Sequence, residues 1–167
     1  MKLNRQLLEI IRHLRCADSM ISVTETGDFV INDGEIALES DFIVGEWVAV
    51  SGSRLNDGLY KIVDKNDIAY PRLYRLGNGT DEDAALVDEP LFSGIVRGLS
   101  IDPALVALAG EIMEFNEKNK PTGNTSEKFG SYSYSRAVGA NGAAVGWQET
   151  FAVRLRPYKQ MLAKIRV

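Results

Sequence analysis

The stretch Asp102–Lys118 constrains the fold more than any other part of this chain, because it reads as one amphipathic helix whose start is written into the sequence. Asp102 is suited to the N-cap, where a carboxylate accepts from the first free backbone N–H groups. Pro103 occupies the first helical position, where a missing N–H costs nothing. Leu105, Leu108, Ala109, Ile112 and Phe115 recur at the helical period, with Val106 and Met113 on the flank. Glu111, Glu114 and Glu117 fall mainly outside that stripe. Whatever precedes this helix either folds back onto its apolar face or stands apart as a module.

A first helix is expected over the opening residues. Leu3, Leu7, Ile10 and Leu14 mark its apolar face, and Leu8 and Ile11 broaden it, with Arg12 and Arg15 near the C-terminal end that favours cations. The period changes from Ile21 onward. Phe29-Val-Ile, Asn32-Asp33-Gly34 and Glu35-Ile-Ala-Leu read as a hairpin around a tight turn, since Asn, Asp and Gly tolerate positive φ. Trp47-Val-Ala-Val, Leu59-Tyr-Lys-Ile-Val and Arg72–Leu76 read as further strands, and Gly52-Ser-Arg-Leu-Asn-Asp-Gly58 as a turn-rich connection. Residues 21–95 are therefore expected to form an antiparallel β module, curled or barrel-like.

Beyond the central helix, Pro121-Thr-Gly-Asn-Thr breaks the chain and Ser126–Ser135 alternates aromatic and hydroxyl side chains around Tyr132 and Tyr134. It reads either as a long surface loop or as a segment that orders against a neighbouring subunit. A last helix starts near Trp147, with Phe151, Leu155, Tyr158 and Leu162 on one side. A kink or restart is expected at Pro157. Arg154, Arg156, Lys159, Lys164 and Arg166 make its end basic, which suits a solvated face, an acidic partner or phosphate.

Charge is distributed unevenly along the chain. The net charge is −4. Residues 1–16 hold four basic and one acidic side chain, residues 17–100 six basic and sixteen acidic, and residues 101–167 nine basic and six acidic. So acidic a centre argues against simple coating of DNA. The acids Asp81, Glu82, Asp83, Asp88 and Glu89 cluster in one loop, but Leu86 stands where a calcium loop needs its glycine.

Catalytic signatures are missing from the pattern. There is no Gly-x-x-x-x-Gly-Lys, and Gly139, Gly142 and Gly146 follow no identifiable strand. His13, the one histidine, and Cys16, the one cysteine, have no second pair to complete a zinc site. His13 reads as a surface or partly buried helix residue. No enzyme activity, metal or cofactor is expected. A single cysteine, no secretion-type leader and no apolar run of membrane-spanning length lead to the expectation of a cytosolic protein where it is made.

Four stretches together carry a likeness to a known group. They are Phe42–Tyr60, which contains Gly-Glu-Trp-Val-Ala-Val-Ser-Gly-Ser-Arg-Leu-Asn-Asp-Gly, the Ile101–Phe115 helix with its Asp-Pro start, Ser126-Glu-Lys-Phe-Gly-Ser-Tyr-Ser-Tyr, and Trp147-Gln-Glu-Thr-Phe with the basic helix after it. In this order they resemble tailed-phage and prophage proteins of Gram-positive bacteria and, more distantly, the head–tail connector (adaptor) proteins of long-tailed phages. The resemblance implies an α+β protein: a small helical bundle of three main helices, residues 1–20 and 96–167, with an antiparallel β module inserted at 21–95. It implies a structural virion protein in the neck, present in the host cytoplasm before assembly. Its copies would form a homo-oligomeric ring under the portal, touching neighbouring neck and tail proteins while DNA passes without specific binding. Expected assembly contacts are Phe129, Tyr132, Tyr134, Arg136 and Trp147, with Arg154, Arg156 and Lys159 as a basic docking face. Asp81, Asp83 and Asp88 are expected to face the channel, where like charge keeps phosphate from sticking. Another neck or tail-completion protein, or a small phage enzyme with a carboxylate site, stays open beside this reading.

Overall fold

The computed structural model describes residues 3–68, 70–78, 86–119, 126–129, 132–135 and 146–164, with the side chains of 126–129, 132–135 and 160–164 left aside. Its element order is α1 (Leu3–Leu14), a short 3-10 turn at Ala17–Ser19, β1 (Ile21–Asn32), β2 (Glu35–Leu38), β3 (Trp47–Ser51), β4 (Gly58–Asn66), β5 (Arg72–Gly77), β6 (Glu89–Leu99), α2 (Pro103–Lys118), β7 (Ser126–Phe129), β8 (Tyr132–Ser135), α3 (Trp147–Thr150) and α4 (Ala152–Lys164). Strands β1–β6 close into an antiparallel barrel in the order β1-β2-β5-β4-β3-β6, and β7 and β8 pair separately.

The β1–β2 connection is the tight turn the sequence announces. Asp33 and Gly34 both take positive φ, 52° and 72°, so the two strands leave it with matched twist. Every other barrel connection is longer. The seam is the pairing of β1 with β6, which runs from Ile21↔Leu99 to Ile31↔Glu89 with irregularities near both ends. At Gly94 this strand passes so close to β3 that a Cβ there would collide with the Ser51 carbonyl oxygen.

Strand alternation sorts the apolar residues into two cores. Val48, Val50, Tyr60, Ile62 and Val96 point inward with Phe29, Ile31, Ile36, Leu38, Phe42, Tyr74 and Leu76, and together they fill the barrel. A six-stranded barrel is narrow enough to be filled this way and carries no channel of its own. Tyr74 is fully buried in it, its hydroxyl donating to Ser40 O at 3.0 Å and accepting from Phe42 N at 3.1 Å. Trp47, Leu59 and Leu99 point outward from the same strands and pack under Leu7, Ile10, Leu14, Leu105, Leu108 and Ile112 of the helices. β3 is therefore covered on both faces, which is why Trp-Val-Ala-Val shows no polar alternation.

This architecture corrects the expected fold class. The chain is a closed antiparallel barrel carrying helices on its outside, not a helical bundle with an inserted β module. The physical reason lies in the second core. Helices α1, α2 and α4 cannot complete it among themselves, and Trp47, Ala49, Leu59 and Leu99 of the barrel supply its floor. The expected 95/96 boundary also falls inside β6, the strand that closes the barrel.

The helices themselves follow the sequence closely. Asp102 Oδ1 accepts from Ala104 N at 2.8 Å and Pro103 opens α2. α1 is tied down by Asn4 Nδ2, which donates to Leu59 O at 2.9 Å, and by Asn116 Nδ2, which donates to Gln6 Oε1 at 2.8 Å. Pro157 sits inside α4, and the break falls instead at Phe151, between α3 and α4.

Candidate assembly surfaces

The loop Gly52–Gly58 is held from inside by a buried carboxylate. Ser53, Asn56 and Glu89 are all buried. Glu89 Oε2 accepts from Ser53 Oγ at 2.5 Å and from Asn56 Nδ2 at 3.1 Å, and its Oε1 accepts from Arg54 N at 3.2 Å. Asn56 also exchanges two bonds with Val87, donating from Nδ2 to its carbonyl at 2.9 Å and accepting from its N–H at 2.8 Å. The Ser53 hydrogen bond, ahead of the others, holds the Glu89 carboxyl below its ordinary range. These polar groups satisfy one another, so the motif acts as a bolt and leaves no reactive group pointing at solvent. The sequence announces the turn but places Glu89 in an acidic loop, because nothing local marks an acid that is buried against a loop far back in the chain.

The C-terminal helices are anchored on α2 and α1. Trp147 is only 8% exposed and belongs to the helical core. Its ring meets His13 edge-on at 5.4 Å. Phe151 meets Phe115 edge-on at 5.6 Å, and the Arg154 guanidinium lies 5.8 Å from the Phe151 ring centre. Arg154 also forms a two-pronged ion pair with Glu111, one arm of which is Nη2 to Oε1 at 2.8 Å. Hydrogen bonding by Arg154 draws the Glu111 carboxyl below its usual range. Trp147 and Arg154, both expected to meet a partner, thus already have neighbours within their own chain. Arg156 and Lys159 are exposed and have no ion pair among the described residues.

The Ser126–Ser135 segment is a hairpin in which Phe129 pairs with Tyr132 and Glu127 with Tyr134. That register brings Phe129, Tyr132 and Tyr134 into adjacent positions, and their side chains lie outside the described set. Arg136, Asp81 and Asp83 lie outside the described residues. Asp88 is exposed, and its Oδ1 accepts from Gly34 N at 3.0 Å, which fastens the β1–β2 turn to the start of β6.

A cleft of about 530 Å³ opens between the barrel and the start of α2, floored by Trp47, Leu99 and Ile101. Glu46 and Lys61 are its ionisable lining residues. Glu46 is engaged by the Ser22 hydroxyl and by Ile43 N at 3.3 Å. Among the described residues no three His, Cys, Asp or Glu side chains could hold a metal ion. Among them, too, no helix is long and apolar enough to cross a membrane.

No family model, no curated protein and no solved structure matches this chain.

Proposed function

We propose that this chain is a non-enzymatic structural protein of a tailed phage or prophage virion, a head–tail connector whose copies form a ring under the portal and extend the DNA channel. One observation carries the reading. Three of the four stretches that bear the likeness to connector proteins fall at joints of the molecule, and the fourth is a separate hairpin. Gly52–Gly58 is the bolted loop, Asp102-Pro103 the cap of α2, Ser126–Ser135 the hairpin, and Trp147–Phe151 the anchor of the last helix. With the barrel filled by its own side chains, the DNA path runs between subunits, in a lumen that the ring encloses. Asp81 and Asp83 are proposed to face that lumen; Asp88, expected with them, is exposed but engaged by Gly34 N at the β1–β2 turn. In this reading the protein resides in the virion neck, after synthesis in the host cytoplasm.

The test is co-sedimentation of the purified protein with the portal oligomer of the same genome, followed by electron microscopy of the bound fraction. An added ring is the expected result. A correctly folded protein that leaves the portal bare would sink the connector assignment. Binding to tail protein alone would move it to the second reading, a neck or tail-completion protein that docks through its barrel. That reading is favoured by the apolar side chains exposed on the barrel at Leu55, Val87 and Leu91.

A further inference from the structure

One end of the barrel holds apolar side chains out into solvent. Leu55 is 59% exposed and Leu91 62%, and Val87 and Pro90 are exposed with them. A loop free to relax would fold such groups inward; this one is pinned. The Asn56–Val87 bonds fix Val87 beside the loop, and Glu89 holds Ser53 and Arg54 before Leu55 and Asn56 after it. The slip in register between Phe29↔Phe92 and Ile31↔Glu89 leaves Pro90 and Leu91 both outside, across from the exposed Val30. Around this apolar end the exposed acids Asp28, Asp33, Asp57 and Asp88 outnumber Arg54, with Arg5 and the Glu35-paired Arg75 at its edge.

The solvent face of α4 is its chemical converse. Leu155 is buried and Tyr158 half-buried, so the helical period turns Val153, Arg156 and Pro157 outward. Val153 is 83% exposed. Arg156 and Lys159 are the exposed cations of this face, and Arg154 beside it is paired with Glu111 within the chain. Residues 152–159 contain no acid, the nearest on the helix pair being Glu149.

We propose that these are the two halves of one contact: the acid-rimmed apolar end of the barrel in one copy docks on the Val153–Arg156–Pro157 face of α4 in a second copy. Charge complementarity selects this occupant, since each surface has an apolar centre and a rim opposite in sign to the other's. The apolar centres supply most of the affinity, and the rims set register and encounter rate. Because the two surfaces differ, the contact is heterologous, and every docked pair still presents one free surface of each kind. The inference rests on the ring reading above and supplies the ring's two edges.

Disulfide trapping tests it. Leu55→Cys and Val153→Cys are placed in one chain, in which the native Cys16 is buried and out of reach. Leu91→Cys replaces Leu55→Cys in a second version, so that a small offset in docking does not hide the contact. Mild oxidation is expected to give a reducible ladder of dimers and higher species from a double variant and none from any single variant. High salt during oxidation is expected to shorten the ladder. Monomer alone from both double variants, or a dimer from Leu55→Cys by itself, overturns the proposal. Portal co-sedimentation of the unaltered chain reads the connector assignment separately. Portal binding without a ladder removes this contact and leaves the connector; a ladder without portal binding does the reverse.

Discussion

Ser53 and Glu89 lie 36 residues apart, yet the hydroxyl of one sits 2.5 Å from the carboxylate of the other in a buried site. The bond joins the β3–β4 loop to the first residue of β6, so the charge state of one carboxyl governs how two distant segments stay together. Glu89 is held below its ordinary value of 4.5. A carboxyl depressed by folding contributes stability that is fully present above the unfolded value and lost as pH falls toward the folded one. Thermal unfolding followed from pH 7 downward is expected to show the midpoint falling below about pH 4.5. Glu89→Gln places an amide where Arg54 N and Asn56 Nδ2 already donate, so it should start from a lower midpoint and show a shallower acid slope. Parallel slopes for the two proteins would remove Glu89 from the acid transition.

Gly94 and Gly27 offer a matched pair in the seam of the barrel, paired directly with each other. A Cβ on Gly94 meets the fixed backbone oxygen of Ser51, whereas a Cβ on Gly27 meets nothing within 4 Å. Gly94→Ala is expected to cost about 1–3 kcal/mol. Gly27→Ala should stay within about 0.5 kcal/mol of the parent. Urea unfolding of the two variants checks the difference, and equal midpoints would count against the close approach of β3 and β6.

How much of this was legible beforehand depends on how local the cause was. The Asp102 cap, the Asn32-Asp33-Gly34 turn and the strands at 47–50, 59–63 and 72–76 were readable because each is decided by neighbours in sequence. β6 was not read, since Pro90, Gly94 and Gly98 look like breakers until β1 and β3 lie alongside. The curled or barrel-like reading of residues 21–95 agrees with the closed barrel, but without β6 its closing strand is cut at residue 95 and the barrel reads as a module inserted in a bundle. At the candidate surfaces, Trp147 and Arg154 looked like partner contacts because an aromatic at a helix start and a basic helix face read the same whether or not His13 and Glu111 are waiting inside the chain.

Leu155 and Arg154 are neighbours on α4 with opposite expected consequences. Leu155 is buried in the helical core. Leu155→Ala should cost about 2–5 kcal/mol by transfer and cavity terms together. The Arg154–Glu111 pair is exposed on both sides, so Arg154→Ala should produce a small loss at low salt that fades as salt rises. A double-mutant cycle with Glu111→Ala, run at two salt concentrations, measures it. A salt-independent coupling would mean that the pair is shielded from water.

Cys16 is buried at the end of α1, and burial pushes its thiol above the ordinary value of 9.0. The thiolate is the reactive form, so the folded protein should be almost inert to a thiol-specific disulfide reagent at neutral pH. Labelling is expected to appear with urea and to follow the unfolding curve. Rapid labelling without denaturant would place the thiol at the surface.

The seam described above also sets an order of events during synthesis. β2 can pair with β1, and β4 with β3, as soon as each leaves the ribosome, whereas Ile21 must wait for Leu99 before the barrel can shut. Non-local pairing of this kind is slow, because loop entropy is lost before contacts reward it. Until then β1 and β3 lack their β6 neighbour and present open strand edges, which invite pairing with another nascent chain. Release of β6 is therefore the point at which a growing chain loses these open edges and stops being prone to misassociation.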